Sequence, residues 1–185
     1  VGLGGGGRLV LGLVVGQGLA FGGASLAFLG FTGRGRSFVA ARVPDLRDLL
    51  ATGGGYVLAF AAVFGGAMVA TQIARLLGTD TEAQNRIVEI GIEWPEVLLL
   101  LVPLAFLLIG PGEELLFRGV VQGRVRERFA AVPAIVIASV IFAAIHWAAI
   151  VGSASGRVTA IVVLFFPSLV LGGLYEYTDN LVVPA

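Results

Sequence analysis

Gly110-Pro111-Gly112-Glu113-Glu114-Leu115-Leu116-Phe117-Arg118 is the stretch on which the reading of this sequence turns. Two adjacent carboxylates and an arginine follow fifteen residues, Val97 to Pro111, that carry no charge. Such a cluster is either the end of a helix that has left a membrane or a reactive site held inside one. Composition establishes the membrane. Of 185 residues, 57% are hydrophobic and 13% charged, with a mean hydropathy of +0.97. A soluble domain holds roughly 45–50% apolar residues. At about 20 apolar residues per crossing, the length allows about five or six helices. The expected fold is all-α, a polytopic transmembrane helix bundle with five visible spans and a truncated sixth.

The same composition excludes several chemistries. Formal net charge is zero, so nothing implies a nucleic acid or another polyanion as partner. Without cysteine there is no disulfide, thiolate metal site or cysteine nucleophile. Four consecutive glycines, Gly4 to Gly7, lead to no Gly-Lys-Ser/Thr, so they read as flexible entry to a span and not as a phosphate loop.

Outward from the central stretch, apolar runs define the spans. They are Leu9 to Phe31, Tyr56 to Leu77, Pro95 to about Gly123, Pro133 to about Val151, and Val158 to Tyr177. Leu181 to Ala185 reads as the first turn of a sixth. Between the second and third spans the chain is acidic. Thr81, Glu82 and Gln84 there predict an amphipathic helix with Ile87, Ile90 and Trp94 along one stripe, lying on the membrane interface. Arginines concentrate in the connections after spans one and three, which assigns those connections to the cytoplasmic side. The organisation is an N-terminal membrane region over residues 1–90 and a second region over residues 91–185 that holds the central charged stretch.

Spans three and four form a hairpin whose turn is predicted near Phe129 and Ala130. Glu113 and His146 lie at nearly equal distances from that turn. With a rise of ~1.5 Å per residue, both sit roughly 25 Å along antiparallel helices, at one depth. On a helix Glu114 and Arg118 are four apart and face each other, leaving Glu113 turned about 100° away, toward His146. Phe142 is one turn before His146 and can wall the imidazole from water or lipid; Ser139 lies a turn earlier. Each ionisable group at a span centre costs ~2.5–3.5 kcal/mol, which a merely structural ion cluster would also have to offset by pairing. A carboxylate removed from water is a stronger base, so the group fits water activation. A metal site is the weaker reading. No His-Glu-x-x-His is present, and using Glu114 as a third ligand would sacrifice its pairing with Arg118. A serine hydrolase is weaker again, because Ser139 and His146 are ~10 Å apart along one helix.

Glu113-Glu114 with Arg118, then Phe142-x-x-x-His146, resemble the first two signatures of the CAAX-protease and bacteriocin-processing family of intramembrane glutamic endopeptidases. The Abi proteins and the Rce-type CAAX prenyl proteases are members. The likeness covers roughly Pro95 to Ala185. It implies that Glu113 and His146 activate water, with Glu114, Arg118 and Phe142 in support and no cofactor or metal. It also implies a later helix with a histidine and, four residues on, an asparagine that stabilise the oxyanion. Gly172 to Leu181 looks like the segment preceding that helix, and the expectation is of a chain truncated before it. The expected function is hydrolysis of membrane-associated protein or peptide substrates by a multi-pass protein of the cell membrane. A non-catalytic scaffold or immunity protein of the same fold is the alternative, and a proton-coupled transporter a further one.

Overall fold

The computed structural model describes residues 5–35, 38–79, 82–85 and 92–185. Among these are five helices long and apolar enough to cross a membrane: α1 (Val10–Phe31), α2 (Leu46–Leu77), α3 (Val97–Arg126), α4 (Ala131–Ala148) and α5 (Ala154–Thr178). Large apolar side chains point outward, with Phe60 66% and Leu99 81% exposed, while Asp48 is 0% and Arg118 1% exposed. In water that surface would aggregate; in lipid it is the solvent face, and polar groups are turned inward to be paired. This is an all-α integral membrane bundle.

Helix α2 begins ten residues earlier than the apolar run suggests. Asp45 caps it, accepting from the Asp48 amide at 2.9 Å while the Asp48 carboxylate accepts from the Asp45 amide at 3.1 Å. Asp48 is tolerated because Arg42 pairs with it at 2.6 Å and Asn180 donates to it at 3.0 Å. The buried face of α2 runs Asp48, Gly55, Ala59, Gly66, Ala70, Ala74, a stripe of steps of seven and four. Its small residues admit α5. A Cβ on Gly55 would stand 2.2 Å from Leu174, and one on Gly66 would stand 2.6 Å from Phe166. Close backbone approach of this kind is how helices associate where lipid gives no hydrophobic drive.

Helix α3 carries Pro103 and Pro111 without breaking. It widens into π-type turns at Ala105–Ile109 and Leu115–Gln122, on either side of Glu113 and Glu114. The Gly110 amide reaches back five residues to the Ala105 carbonyl, next to a proline that has no amide to give. Helix α1 crosses α3 at glycines. A Cβ on Gly112 would lie 2.7 Å from the Gly18 carbonyl oxygen.

The α3–α4 turn falls at residues 127–130, around Phe129 and Ala130. Helix α4 ends at Ala148, three residues before the expected Val151, because Ile150–Gly152 leaves the helix to form a strand. This strand, β2, pairs antiparallel with β1 (Ala83–Asn85), Gln84 opposite Val151. Residues 83–85 are therefore extended, not the first turn of an interfacial helix. Thr81, Ile87 and Ile90 of that expected helix lie outside the described residues, and Trp94 is not helical. After α5, residues 181–184 run in turns; the Leu181 amide donates to the Ala40 carbonyl at 2.8 Å and Val183 is buried. The 32–45 connection and the 127–130 turn meet at one end of the bundle, where Arg34 pairs with Glu127.

Candidate active site

Helix α3 presents Glu113, Glu114 and Arg118; helix α4 presents Phe142 and His146. Arg118 donates to Glu114 Oε1 at 2.8 Å, the i,i+4 pairing that helical spacing favours. It also reaches α5, donating to the Ser168 carbonyl at 3.2 Å and Ser168 Oγ at 3.0 Å. Its guanidinium stacks on the Phe142 ring, 4.8 Å from the centroid. The Arg118 and Glu114 side chains are only 1% and 5% exposed. One arginine thus joins three helices in a sealed interior. Glu114 Oε2, by contrast, is buried with no hydrogen-bond partner among the described residues.

Glu113 faces elsewhere. Its Oε1 lies 3.9 Å from His146 Nε2, and both side chains keep some access, 15% and 10% exposed. His146 Nδ1 is 2.7 Å from the Phe142 carbonyl. A carbonyl only accepts, so Nδ1 carries a proton, and Nε2 is the ring nitrogen that faces Glu113. The Phe142 ring packs on the imidazole with centroids 4.6 Å apart, and Phe117 meets Phe142 edge-on at 5.0 Å. Phe21 of α1 continues the aromatic wall against Phe117 at 5.7 Å.

All five residues singled out in the sequence come together here. Ser139 does not join them: it is buried within α4, and the imidazole nitrogens meet Phe142 and Glu113 instead. Sequence reasoning missed Ser168. It missed Gln122 too, which is 1% exposed and donates to the Gly172 carbonyl at 3.2 Å and Glu176 at 3.0 Å, a second polar tie between α3 and α5. The signal available for both was a polar side chain in an apolar span that must find a partner.

Residues 95–185 match the family model described as Type II CAAX prenyl endopeptidase Rce1-like. No curated protein and no solved structure matches the chain. The matched region contains α3, α4, α5 and every residue of the site, and leaves α1 and α2 outside. By its sequence, its apolar spans and this match, the chain is an integral membrane protein whose residues 95–185 belong to the Rce1-like family of CAAX prenyl endopeptidases.

Proposed function

We propose that this protein is an intramembrane endopeptidase of glutamic type, in which Glu113 activates water with His146. The observation that carries the reading is the 3.9 Å separation between Glu113 Oε1 and His146 Nε2. It is too long for a direct hydrogen bond, and both atoms are acceptors when Glu113 is ionised and His146 neutral. A water at roughly 2.8 Å from each would donate one hydrogen to either side, its oxygen lone pairs left free for attack. In the reaction, the water oxygen bonds to the scissile carbonyl carbon as Glu113 takes its proton. The C–N bond of the tetrahedral intermediate then breaks as that proton passes to the leaving nitrogen. His146 orients the water through Nε2 while its Nδ1–H stays on the Phe142 carbonyl.

Glu114 is committed to Arg118 and serves as scaffold. Holding one carboxylate in a sealed ion pair leaves its neighbour as the single base, which avoids two like charges competing for one site. The resemblance assigns oxyanion donors to a histidine and an asparagine of a later helix, and residues 1–185 hold one histidine only, His146. Substrates are membrane-associated proteins or peptides, the membrane is the cell membrane, and the arginine-rich end faces the cytoplasm.

The test is Glu113→Gln in the full-length protein, assayed in membranes against an internally quenched farnesylated CAAX peptide. Loss of the base predicts a fall of about 10²–10⁴-fold in kcat with membrane insertion unchanged. Undiminished turnover overturns the assignment. A wild-type protein that cleaves nothing, with Glu113→Gln changing only its stability, would favour the scaffold alternative.

A further inference from the structure

We infer that Arg157, at the start of α5, is a positioning residue for His146. Regular helix in α4 stops at Ile145, and His146–Ala148 continue as a single 3₁₀ turn before β2 begins at Ile150. A helix end leaves carbonyls without intrahelical donors, which a side chain of another element can supply. The Trp147 carbonyl is one of these, because the residue four further on, Val151, belongs to the strand. Arg157 supplies the donor from a different helix: its guanidinium donates to the Trp147 carbonyl and lies over the Trp147 indole, 4.1 Å from the ring centroid. Among the described residues no carboxylate pairs with Arg157, and its Nε is buried without a hydrogen-bond partner.

The consequence reaches the imidazole through one peptide bond. His146 is held from within the bundle by the Phe142 carbonyl on Nδ1 and the Phe142 ring on its face. Its backbone, in a short 3₁₀ turn of poor hydrogen-bond geometry, has little intrinsic stiffness. Arg157 fixes that backbone from α5, and so sets where Nε2 stands relative to Glu113. A planar guanidinium can stack and donate at once, which an ammonium does less well. Misplacement of a reacting group by about 1 Å costs about 100-fold in rate.

The inference rests on the endopeptidase reading only for its kinetic arm, because the imidazole resonances of His146, assigned by their loss in His146→Gln, report on that residue directly. The experiment is ¹⁵N imidazole NMR of the full chain in lipid nanodiscs, for wild type, Arg157→Met, Arg157→Lys and Trp147→Phe. Wild type should show one protonated and one bare nitrogen, the locked Nδ1–H tautomer. Arg157→Met should draw the two resonances together as tautomers average, and lower kcat on the farnesylated peptide about 100-fold with KM little changed. Arg157→Lys should recover part of both, and Trp147→Phe, which keeps the carbonyl and a stacking face, should retain the locked spectrum. A locked wild-type spectrum in Arg157→Met overturns the inference. If Arg157→Met does not fold, Arg157→Lys decides: a spectrum and kcat identical to wild type would overturn it equally. If no variant or wild type cleaves peptide, the proposed function fails while the NMR arm still decides the role of Arg157.

Discussion

Arg118→Met is the substitution that most directly tests how this bundle tolerates charge. The guanidinium makes three buried hydrogen bonds, to Glu114 at 2.8 Å and to the carbonyl and hydroxyl of Ser168 at 3.2 and 3.0 Å. Glu114 Oε2 has no donor among the described residues and Oε1 has Arg118, so Glu114 depends on Arg118 for its compensation. Methionine of similar length fills the space but leaves that carboxylate unpaired. Breaking a buried pair from one side costs about 3–5 kcal/mol, with loss of the stack on Phe142 adding about 0.5–2 kcal/mol. Protonation of the stranded carboxyl limits the loss, so about 3–5 kcal/mol is the expected total. Glu114→Leu should cost a similar amount, because it strands the arginine.

The double substitution Glu114→Leu with Arg118→Met discriminates. Replacing both charges by apolar groups removes the desolvation cost together with the attraction, and such replacements are neutral or stabilising in known cases. What remains is the lost donor to Ser168, about 1 kcal/mol, and the lost stack on Phe142, about 0.5–2 kcal/mol. The double variant should therefore be more stable than either single one, a strongly non-additive cycle. The assay is reversible unfolding in mixed micelles, followed by far-UV circular dichroism as the denaturing detergent fraction rises. A loss below about 1 kcal/mol for Arg118→Met, or a double variant no better than the worse single, would refute the argument that this pair is a sealed mutual compensation.

Further substitutions probe the frame of the bundle. Gly112→Ala puts a Cβ 2.7 Å from the Gly18 carbonyl oxygen and 3.0 Å from that of Gln17, backbone atoms that yield only if α1 moves. The expected cost is about 1–3 kcal/mol. Gly22→Ala, whose Cβ meets the Gly112 Cα at an ordinary 3.9 Å, is the control that should leave the melting temperature unchanged. At the end of the bundle, the Arg34 hydrogen bond, helped by Arg124, holds the Glu127 carboxyl below its ordinary 4.5. A depressed carboxylate contributes stability above its unfolded value and loses it as pH falls through the folded one. Glu127→Gln should therefore flatten the decline in melting temperature below pH 4.5, and added salt should shrink the difference. An acid limb identical to wild type would remove Glu127 as its source.

The spans and the pairing of Glu113 with His146 were legible because they follow from counting. A helix advances by a fixed rise, so two residues equidistant from a turn near Phe129 reach one depth whatever else surrounds them. Glu114 and Arg118 are likewise tied by the four-residue repeat of the helix itself. The start of α2 was not legible, since Asp48 reads as the end of a polar loop. Its charge is cancelled by Arg42 and by Asn180, 132 residues away in the sequence. The β1–β2 pair escaped for another reason: three-residue strands are too short to show an alternating pattern.

The difference comes down to what a membrane demands and what a sequence can state. Lipid leaves no polar group unpaired without cost, so a polar residue inside an apolar span announces that it has a partner. It does not announce which one, because that depends on how each helix is rotated about its axis when the bundle closes. In α3 the rotation is further set by π-type turns at Ala105–Ile109 and Leu115–Gln122, which shift the face that Arg118 and Gln122 present. Those turns aim both side chains at Ser168 and Gly172 of α5, two residues that the sequence shows only as small. Arg157 follows the same logic at the other end of α5, where an arginine at a span boundary ordinarily reads as an anchor in the headgroups. Its hold on the Trp147 carbonyl becomes visible only once the regular helix of α4 is seen to stop at Ile145, one residue before the histidine. Sequence arithmetic thus brings Glu113 and His146 to one depth, and the bundle alone reveals the side chains that pack around them.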